Sequence, residues 1–166
     1  MAERGGLHEH KALAQRFAEH LSAKDVKSAA ELVSPSFAYH APGFPALQGR
    51  DEWQGLMNYF AANSPQLNFN VEEQVAEGNT VVTRYTWNTV HENEFMGVPP
   101  TGKKLTVTSL SLLRVENGQI TEQYVLDDYL GLFRQLGAIP LAFFQEKIEV
   151  PGVGPRAVPV GEKVFA

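Results

Sequence analysis

Apolar residues recur at helical spacing in two segments of the N-terminal half of the chain. In the first, about residues 7–24, one face is polar and the other carries Leu13, Phe17 and Leu21. In the second, about residues 50–63, an i, i+3, i+4, i+7 pattern is formed by Trp53, Leu56, Met57 and Phe60. This spacing predicts two amphipathic helices. Asp25 is positioned to cap a short helix between them.

From residue 67 onwards the hydrophobic period is two. Leu67, Phe69 and Val71 alternate with polar residues, which predicts a strand with one buried face. A short strand is predicted over about 36–41, and runs rich in β-branched and aromatic residues predict further strands over about 81–91 and 105–115.

Asn117-Gly118 marks a hairpin, because a type I′ turn needs positive φ at both central residues. The chain is predicted to return over about 119–129 and to form a short helix over about 130–136, ended by Gly137. Helical segments followed by hairpin-connected strands indicate an α+β fold. The expected arrangement is a curved, mostly antiparallel sheet around the helices, with a cavity between them.

The connection at residues 94–104 is too long and too apolar for a plain hairpin turn. Pro99 and Pro100 each fix φ and lack a backbone N–H, so this segment is a rigid connection outside the hydrogen-bonded ladder. Rigid apolar loops on a sheet scaffold commonly border a pocket. We therefore expect residues 94–104 to form part of a cavity rim.

Composition narrows the class of protein. The chain has 166 residues, a net charge of −5 and no cysteine. One domain, residues 1–137, is the simplest organisation, and residues 138–166 are predicted to be a tail that docks on it or on a partner subunit.

The negative charge argues against nucleic acid and anionic membranes as partners. The charged N-terminus lacks an apolar signal core, which predicts a cytoplasmic protein.

An aspartate pair, Asp127-Asp128, ends the last predicted strand. Adjacent strand residues point to opposite faces, so at most one of the pair enters a cavity, where a buried carboxylate can exchange protons near neutral pH. With Glu116 opposite Gln119 across the turn, one face carries Ser109, Ser111, Glu122, Tyr124 and Asp128. Asp127 then falls on the other face. In the alternative interpretation both residues simply end the strand, with Asp128 as the N-cap of the next helix.

Two histidines, His40 and His91, follow predicted strands. Histidine is the side chain most easily tuned for proton transfer at neutral pH, although each of these alone is more often structural than catalytic. No spacing of ligands indicates a metal site, and no Gly-rich phosphate loop or nucleophile elbow occurs. We therefore expect neither a metal nor a cofactor.

Six segments match a known family in order and spacing: 37–42, 49–51, 75–79, 91–102, 117–122 and 128–137. The first contains Phe-Ala-Tyr-His-Ala-Pro and the fourth contains Phe-Met-Gly-Val-Pro-Pro-Thr-Gly. Over about residues 8–137 the chain resembles the SnoaL-like polyketide cyclases, within the nuclear transport factor 2-like superfamily.

The resemblance implies a cone-shaped barrel closed by the N-terminal helices, a homodimer, and cofactor-free aldol ring closure of a hydrophobic polyketide-like carbonyl compound. It implies an acid/base aspartate near the end of the last strand, which Asp128 fits best. His40 and His91 fall where family histidines face the pocket, and they would hydrogen-bond the developing enolate oxygen. The candidate substrate-binding residues are Tyr39, Trp53, Tyr85, Trp87, Phe95, Ser111 and Tyr124.

Two alternatives remain open, because the superfamily also hosts other reactions and fold does not determine function. A hydroxylase or epoxide-opening enzyme would hold a water between Asp128 and another polar group. In a non-catalytic small-molecule-binding domain, Asp128 would be a satisfied helix cap that points away from the cavity.

Overall fold

A computed structural model gives the fold, and it describes residues 2–139, 147–150 and 154–157. The elements, in chain order, are α1 (Ala2–Ser22), α2 (Val26–Glu31), β1 (Val33–His40), β2 (Leu47–Gln48), α3 (Arg50–Asn63), β3 (Asn68–Glu77), β4 (Thr80–Val90), β5 (Lys104–Glu116), β6 (Gln119–Asp127), α4 (Tyr129–Leu136), β7 (Lys147–Val150) and β8 (Gly154–Ala157). The predicted α+β class and the N-terminal helices are confirmed.

One six-stranded sheet has the order β2-β1-β6-β5-β4-β3. All neighbours are antiparallel except β1 and β6, which are parallel, so the sheet is mixed. The predicted closure into a barrel is wrong, because β2 and β3 are free edges of this sheet. The Ser22 hydroxyl, at the end of α1, accepts from the Phe69 backbone N–H at 3.2 Å and donates to the Phe69 carbonyl at 3.1 Å. A helix, not another strand, therefore satisfies the β3 edge at this point.

The helix ends follow the local sequence signals. Asp25 caps α2 by accepting a hydrogen bond from the Ser28 backbone N–H at 3.0 Å. Gly137 ends α4 with a left-handed φ of 79°. The helix predicted over 50–63 has the same bounds in the structure.

Trp53 belongs to the main hydrophobic core. Its side chain is fully buried, and its ring lies 5.4 Å from that of Phe17 and 5.5 Å from that of Phe37. It does not line the cavity described below. The expectation that Trp53 contacts substrate is therefore not met, because the apolar stripe of α3 at this residue faces α1 and β1.

The β5–β6 hairpin contains an irregularity that changes which side chains face inward. The turn is as predicted, with Glu116 opposite Gln119 and positive φ at Asn117 and Gly118. The register then shifts by one, so that Arg114 pairs with Glu122. Beyond this β-bulge the inner face carries Ser109, Ser111, Gln123, Val125 and Asp127.

The outer face of the same hairpin carries large apolar residues. Leu110, Tyr124 and Leu126 are 44%, 46% and 58% exposed. The predicted grouping of Tyr124 and Asp128 with the two inward serines is therefore wrong, since one extra residue in a strand exchanges its two faces.

The Pro-Pro loop folds back on itself before it reaches the prolines. Phe95 and Val98 exchange two backbone hydrogen bonds of 3.0 and 2.9 Å around Met96 and Gly97, which both have positive φ. Phe95 and Val98 pack against a small core cluster that includes Leu132 of α4. The loop is thereby fixed over α4.

Most of the predicted tail, residues 138–166, lies outside the described residues. Its docking and the division from residues 1–137 stay predictions. The backbones of β7 and β8 form a two-stranded antiparallel pair. Within the described part of the chain, no helix combines the length and the apolar character needed to cross a bilayer.

Candidate active site

A cavity of about 140 Å³ is lined by residues of α1, α3, α4 and strands β1 and β3–β6. Its wall is mainly apolar and aromatic, with Leu21, Phe44, Leu56, Met57, Phe60, Leu67, Phe69, Leu105, Val125 and Leu132. The lining extends from buried Tyr85 to Tyr59, which is 55% exposed, so the cavity opens to the surface. Apolar cavities with a few convergent polar groups are the usual form of small-molecule sites.

Asp127 is the least exposed of the three carboxylates in this lining, the other two being the exposed Glu92 and Glu94. The register of three strands forms a row in which Tyr85 of β4 pairs with Ser109 of β5, and Ser109 pairs with Asp127 of β6. Trp87 Nε1 donates to Asp127 Oδ1 at 3.0 Å, and the Ser109 hydroxyl donates to the same oxygen. These two hydrogen bonds fix the orientation of the carboxylate. Both donors bind Oδ1, and neither binds Oδ2.

Three tyrosines surround the Asp127 carboxylate. Burial, and then the negative charge of Asp127, raises the pKa of Tyr39, Tyr85 and Tyr129 well above the ordinary value. The interaction between the Tyr129 and Asp127 side chains raises the pKa of Tyr129 further. All three phenols therefore stay protonated at neutral pH and can donate hydrogen bonds within the cavity.

His91 supplies a further donor to the lining. Its Nδ1 accepts a hydrogen bond from the Thr101 backbone N–H at 3.1 Å, so the proton of the neutral ring lies on Nε2. Nε2 is buried and has no hydrogen-bond partner among the residues described. Desolvation lowers the pKa of His91, which keeps the ring neutral at pH 7.

We expect the protein to lose stability in mild acid through His91. Its pKa in the folded state lies below that of the unfolded chain, about 6.5. The contribution of the neutral ring is complete above that value and is lost as the pH falls through the lower folded-state pKa. Urea unfolding from pH 7.5 to pH 5 measures this loss.

The matched variant for this experiment is His91→Asn, whose amide oxygen can still accept from the Thr101 N–H but cannot be protonated. The variant should lose less stability than the wild type over the same pH range. Parallel curves for the two proteins would contradict the role given to His91.

Among the side chains that the structure describes, no group of three His, Asp or Glu residues could hold one metal ion. Besides Asp127, the buried and half-buried polar groups of the lining include the phenols of Tyr39, Tyr85 and Tyr129, the indole N–H of Trp87 and the imidazole N–H of His91. This set can accept a proton at Asp127 and donate hydrogen bonds to carbonyl or enolate oxygens around it.

A profile of the SnoaL-like polyketide cyclases matches residues 11–136. The chain belongs to the SnoaL-like polyketide cyclase family. Its fold is that of the nuclear transport factor 2-like proteins.

The chain is also similar to individual proteins. The aklanonic acid methyl ester cyclase DnrD of Streptomyces peucetius is 26% identical over 108 residues, which are 64% of this chain and 72% of that protein. The crystal structure of IdmH from Streptomyces antibioticus, a proposed polyketide cyclase, is 30% identical with a TM-score of 0.69, over 77% of this chain and 98% of IdmH. That of AclR from Streptomyces galilaeus, a proposed hydroxylase, is 26% identical with a TM-score of 0.72, over 81% of this chain and 99% of AclR.

Five of the residues predicted for this SnoaL-like site line the cavity: Tyr39, Tyr85, Trp87, His91 and Phe95. Ser111 faces inward but lies outside the lining, where it accepts a hydrogen bond from Gln123 Nε2 at 3.1 Å. Three other predicted residues, His40, Tyr124 and Asp128, are not part of the lining.

His40 and Tyr124 lie on the outer face of the sheet. Their rings stack with centroids 4.3 Å apart, and His40 Nε2 is 3.4 Å from Glu122 Oε1. In β1 it is the neighbouring residue, Tyr39, that lines the cavity. The expected inward orientation of His40 is wrong, because adjacent strand residues face opposite sides.

Asp128 is the N-cap of α4 and is exposed. Its carboxylate accepts a hydrogen bond from the Gly131 backbone N–H at 2.8 Å and is not part of the cavity lining. This geometry is the one expected for a binding domain without chemistry, yet Asp127 brings a carboxylate into the cavity instead. The orientation of Asp128 therefore no longer separates the enzyme from the binding-domain hypothesis.

Sequence reasoning missed four polar residues of the site: Ser109, Gln123, Asp127 and Tyr129. Ser109, Gln123 and Asp127 were on the sequence-predicted hairpin, and a correct register would have found them together. Tyr129 carried no signal of its own, because one aromatic residue at a helix start is ordinary core material.

Proposed function

We propose that this protein is a cofactor-independent cyclase that closes a ring in a hydrophobic polyketide-like carbonyl compound by an intramolecular aldol reaction. The observation that carries the proposal is the Asp127 carboxylate, oriented through Oδ1 by Trp87 and Ser109 within an apolar cavity. A base fixed in this way can accept a proton from a carbon next to a carbonyl.

The proposed reaction uses Asp127 twice. The carboxylate removes a proton from the carbon beside one carbonyl, and the resulting enolate carbon attacks a second carbonyl of the same molecule. A C–C bond forms, and the new alkoxide takes the proton back from Asp127. Donors at the cavity wall, the phenols of Tyr39 and Tyr85 and the Nε2–H of His91, would stabilise the enolate oxygen.

The likeness to DnrD, which is named for aklanonic acid methyl ester, supplies the test compound. The purified protein should convert aklanonic acid methyl ester without added cofactor into a product of unchanged mass, because ring closure by aldol addition is an isomerisation. Chromatography with mass spectrometry measures this. An enzyme that leaves both this ester and related keto-esters untouched would contradict the proposal.

The likeness to AclR favours a hydroxylase as the second candidate. The same experiment separates the possibilities by product mass. Hydroxylation adds one oxygen atom, and opening of an epoxide adds one water. A non-catalytic binding domain would bind the compound and return it unchanged.

The homodimer implied by the family resemblance is a further proposal. The apolar residues of the outer sheet face lie beside Arg114 and Glu122, which form an ion pair of 3.1 Å. A face with an apolar centre and both charges at its edge can be complementary to a second copy of itself. We propose that this face forms the dimer interface.

Sedimentation velocity tests the dimer. Leu126→Lys adds a charge to the proposed interface and should give a monomer. Leu130→Lys is the control, since Leu130 is 57% exposed and belongs to α4, not to the sheet. A dimer that persists in Leu126→Lys would exclude the outer face as the interface.

A further inference from the structure

We propose that Gln123 recognises a hydroxyl group of the substrate and so sets how the molecule lies along the cavity relative to Asp127. The inference rests on the proposed function, because it assigns a substrate class to the same cavity. This class is carbonyl compounds that carry a hydroxyl at the end remote from the reacting carbon. Gln123 belongs to the cavity lining and is 6% exposed, and no step of the proposed aldol reaction uses its side chain.

Gln123 and Asp127 belong to one wall of the cavity. They are four residues apart on β6, with Val125 between them, and the pairing of β6 with β5 is regular over this stretch. Residues at even separation share one face of a strand, and four residues span about 13 Å. One elongated molecule can therefore contact the amide and the carboxylate at the same time.

A hydrogen bond inside the sheet fixes the orientation of the Gln123 amide. Nε2 donates to the Ser111 hydroxyl oxygen at 3.1 Å, and both residues are buried. Oε1 accepts no hydrogen bond from the residues that the structure describes. It is also not among the atoms that the fold seals off completely, as Trp53 Nε1 is. Because Gln123 lines the cavity, this oxygen is open to a ligand there.

An amide oxygen without a partner selects a hydrogen-bond donor. It accepts from O–H or N–H groups and cannot bond to the oxygen of an ether, an ester or a ketone. A substrate hydroxyl supplies the donor, whereas a methyl ether at the same position would leave Oε1 desolvated and unpaired. The selection concerns only this end of the molecule, so a methyl ester elsewhere in the substrate is compatible with it.

A purely structural role for Gln123 would be to satisfy the Ser111 hydroxyl. A second pair has the same arrangement away from the cavity: Gln74 Nε2 donates to the Thr83 hydroxyl at 3.0 Å, and Gln74 is not part of the lining. Gln123→Met and Gln74→Met each remove one amide–hydroxyl bond and keep an unbranched side chain. A structural role predicts a lower melting temperature for both variants and unchanged ligand selectivity.

Calorimetric titration with 2,6-dihydroxynaphthalene and with 6-methoxy-2-naphthol tests the inference. Each probe has one hydroxyl for Asp127, and only the diol has a second hydroxyl, at the opposite end of the rings, for Gln123. The ratio of the two dissociation constants gives the preference for the diol. We expect this preference to fall about fivefold from the wild type to Gln123→Met, the size of effect of one neutral hydrogen bond. Gln74→Met is the matched control and should keep the wild-type ratio.

The results for the variants decide the role of Gln123. A preference for the diol that falls in Gln123→Met and persists in Gln74→Met supports recognition of the hydroxyl. An equal preference in the wild type and Gln123→Met overturns it, as does an equal fall in both variants. If Gln123→Met does not fold, Gln123→Met combined with Ser111→Ala replaces it, because removal of both partners leaves no buried hydroxyl unpaired.

The same titration separates this inference from the proposed function. Binding of both probes with equal ratios in the wild type and Gln123→Met removes the role of Gln123 and leaves the proposed cyclase reaction in place. Binding of neither probe to the wild type overturns the cavity as the substrate site, and with it both proposals. A protein that shows the Gln123-dependent preference but converts no keto-ester would keep the hydroxyl site and lose the proposed reaction.

Discussion

Replacement of Asp127 by Asn is expected to reduce turnover roughly a thousandfold while the protein stays folded. A positioned general base contributes on this order to catalysis, and the amide cannot accept the substrate proton. The amide oxygen can still accept from Trp87 Nε1 and the Ser109 hydroxyl, so the local packing should survive. Single-turnover rates with a keto-ester substrate, together with thermal unfolding, measure the two effects separately.

Asp128→Asn is the matched control, since it changes the adjacent carboxylate in the same way. Asn and Asp are equivalent N-cap residues, so neither activity nor stability should change appreciably. Asp128→Ala should destabilise the protein by about 0.5–2 kcal/mol through loss of the cap, again with turnover retained. Loss of activity in Asp128→Asn, with Asp127→Asn active, would reverse the assignment of the base.

Replacement of Trp53 by Ala is expected to destabilise the protein by about 3–5 kcal/mol, the usual cost of removing a large aromatic side chain from a core. The indole is fully buried between Phe17 of α1 and Phe37 of β1, so its removal leaves a cavity where three elements meet. Such a loss is a large part of the stability of a typical domain. Urea unfolding at pH 7.5 measures it.

Trp53→Phe distinguishes a core role from a binding role. Trp53 Nε1 is buried and has no hydrogen-bond partner in the described part of the chain, so the substitution removes an unsatisfied donor while keeping an aromatic ring. The variant should lose less stability than Trp53→Ala and should keep the KM of the wild type. A raised KM in a stable Trp53→Phe protein would return Trp53 to the substrate site.

The periodic parts of the fold were predictable because burial imposes a period. The 3.6-residue stripe gave α3 its bounds, and the alternation from Leu67 indicated β3. The mixed order of the sheet was not predictable, since the parallel pairing of β1 with β6 joins residues far apart in the chain. The apolar stripe of α3 also led to the wrong prediction that Trp53 contacts the substrate. An aromatic residue on an apolar helix face is suited to a core as well as to a pocket.

The carboxylate of the cavity, Asp127, was missed for a more local reason. A regular ladder from the Asn117-Gly118 turn puts Asp128 on the side of Ser109 and Ser111, and the β-bulge exchanges it for Asp127. The extra residue, Thr121, has a side chain common in regular strands and gives no sign of the bulge. The prediction that His40 faces the cavity was wrong for a similar reason, because a strand can present Tyr39 or His40 to the cavity but not both.

Because Asp127 and Asp128 are adjacent, a one-residue deletion in β6 would replace one aspartate by the other at the cavity. Deletion of one residue between Gln123 and Asp127 would move Asp128 into the register opposite Ser109, where Asp127 now lies. The Asp128 carboxylate would then enter the cavity, and α4 would lose its N-cap residue. A one-residue deletion in β6 would therefore still leave a carboxylate at the cavity position that Asp127 now holds.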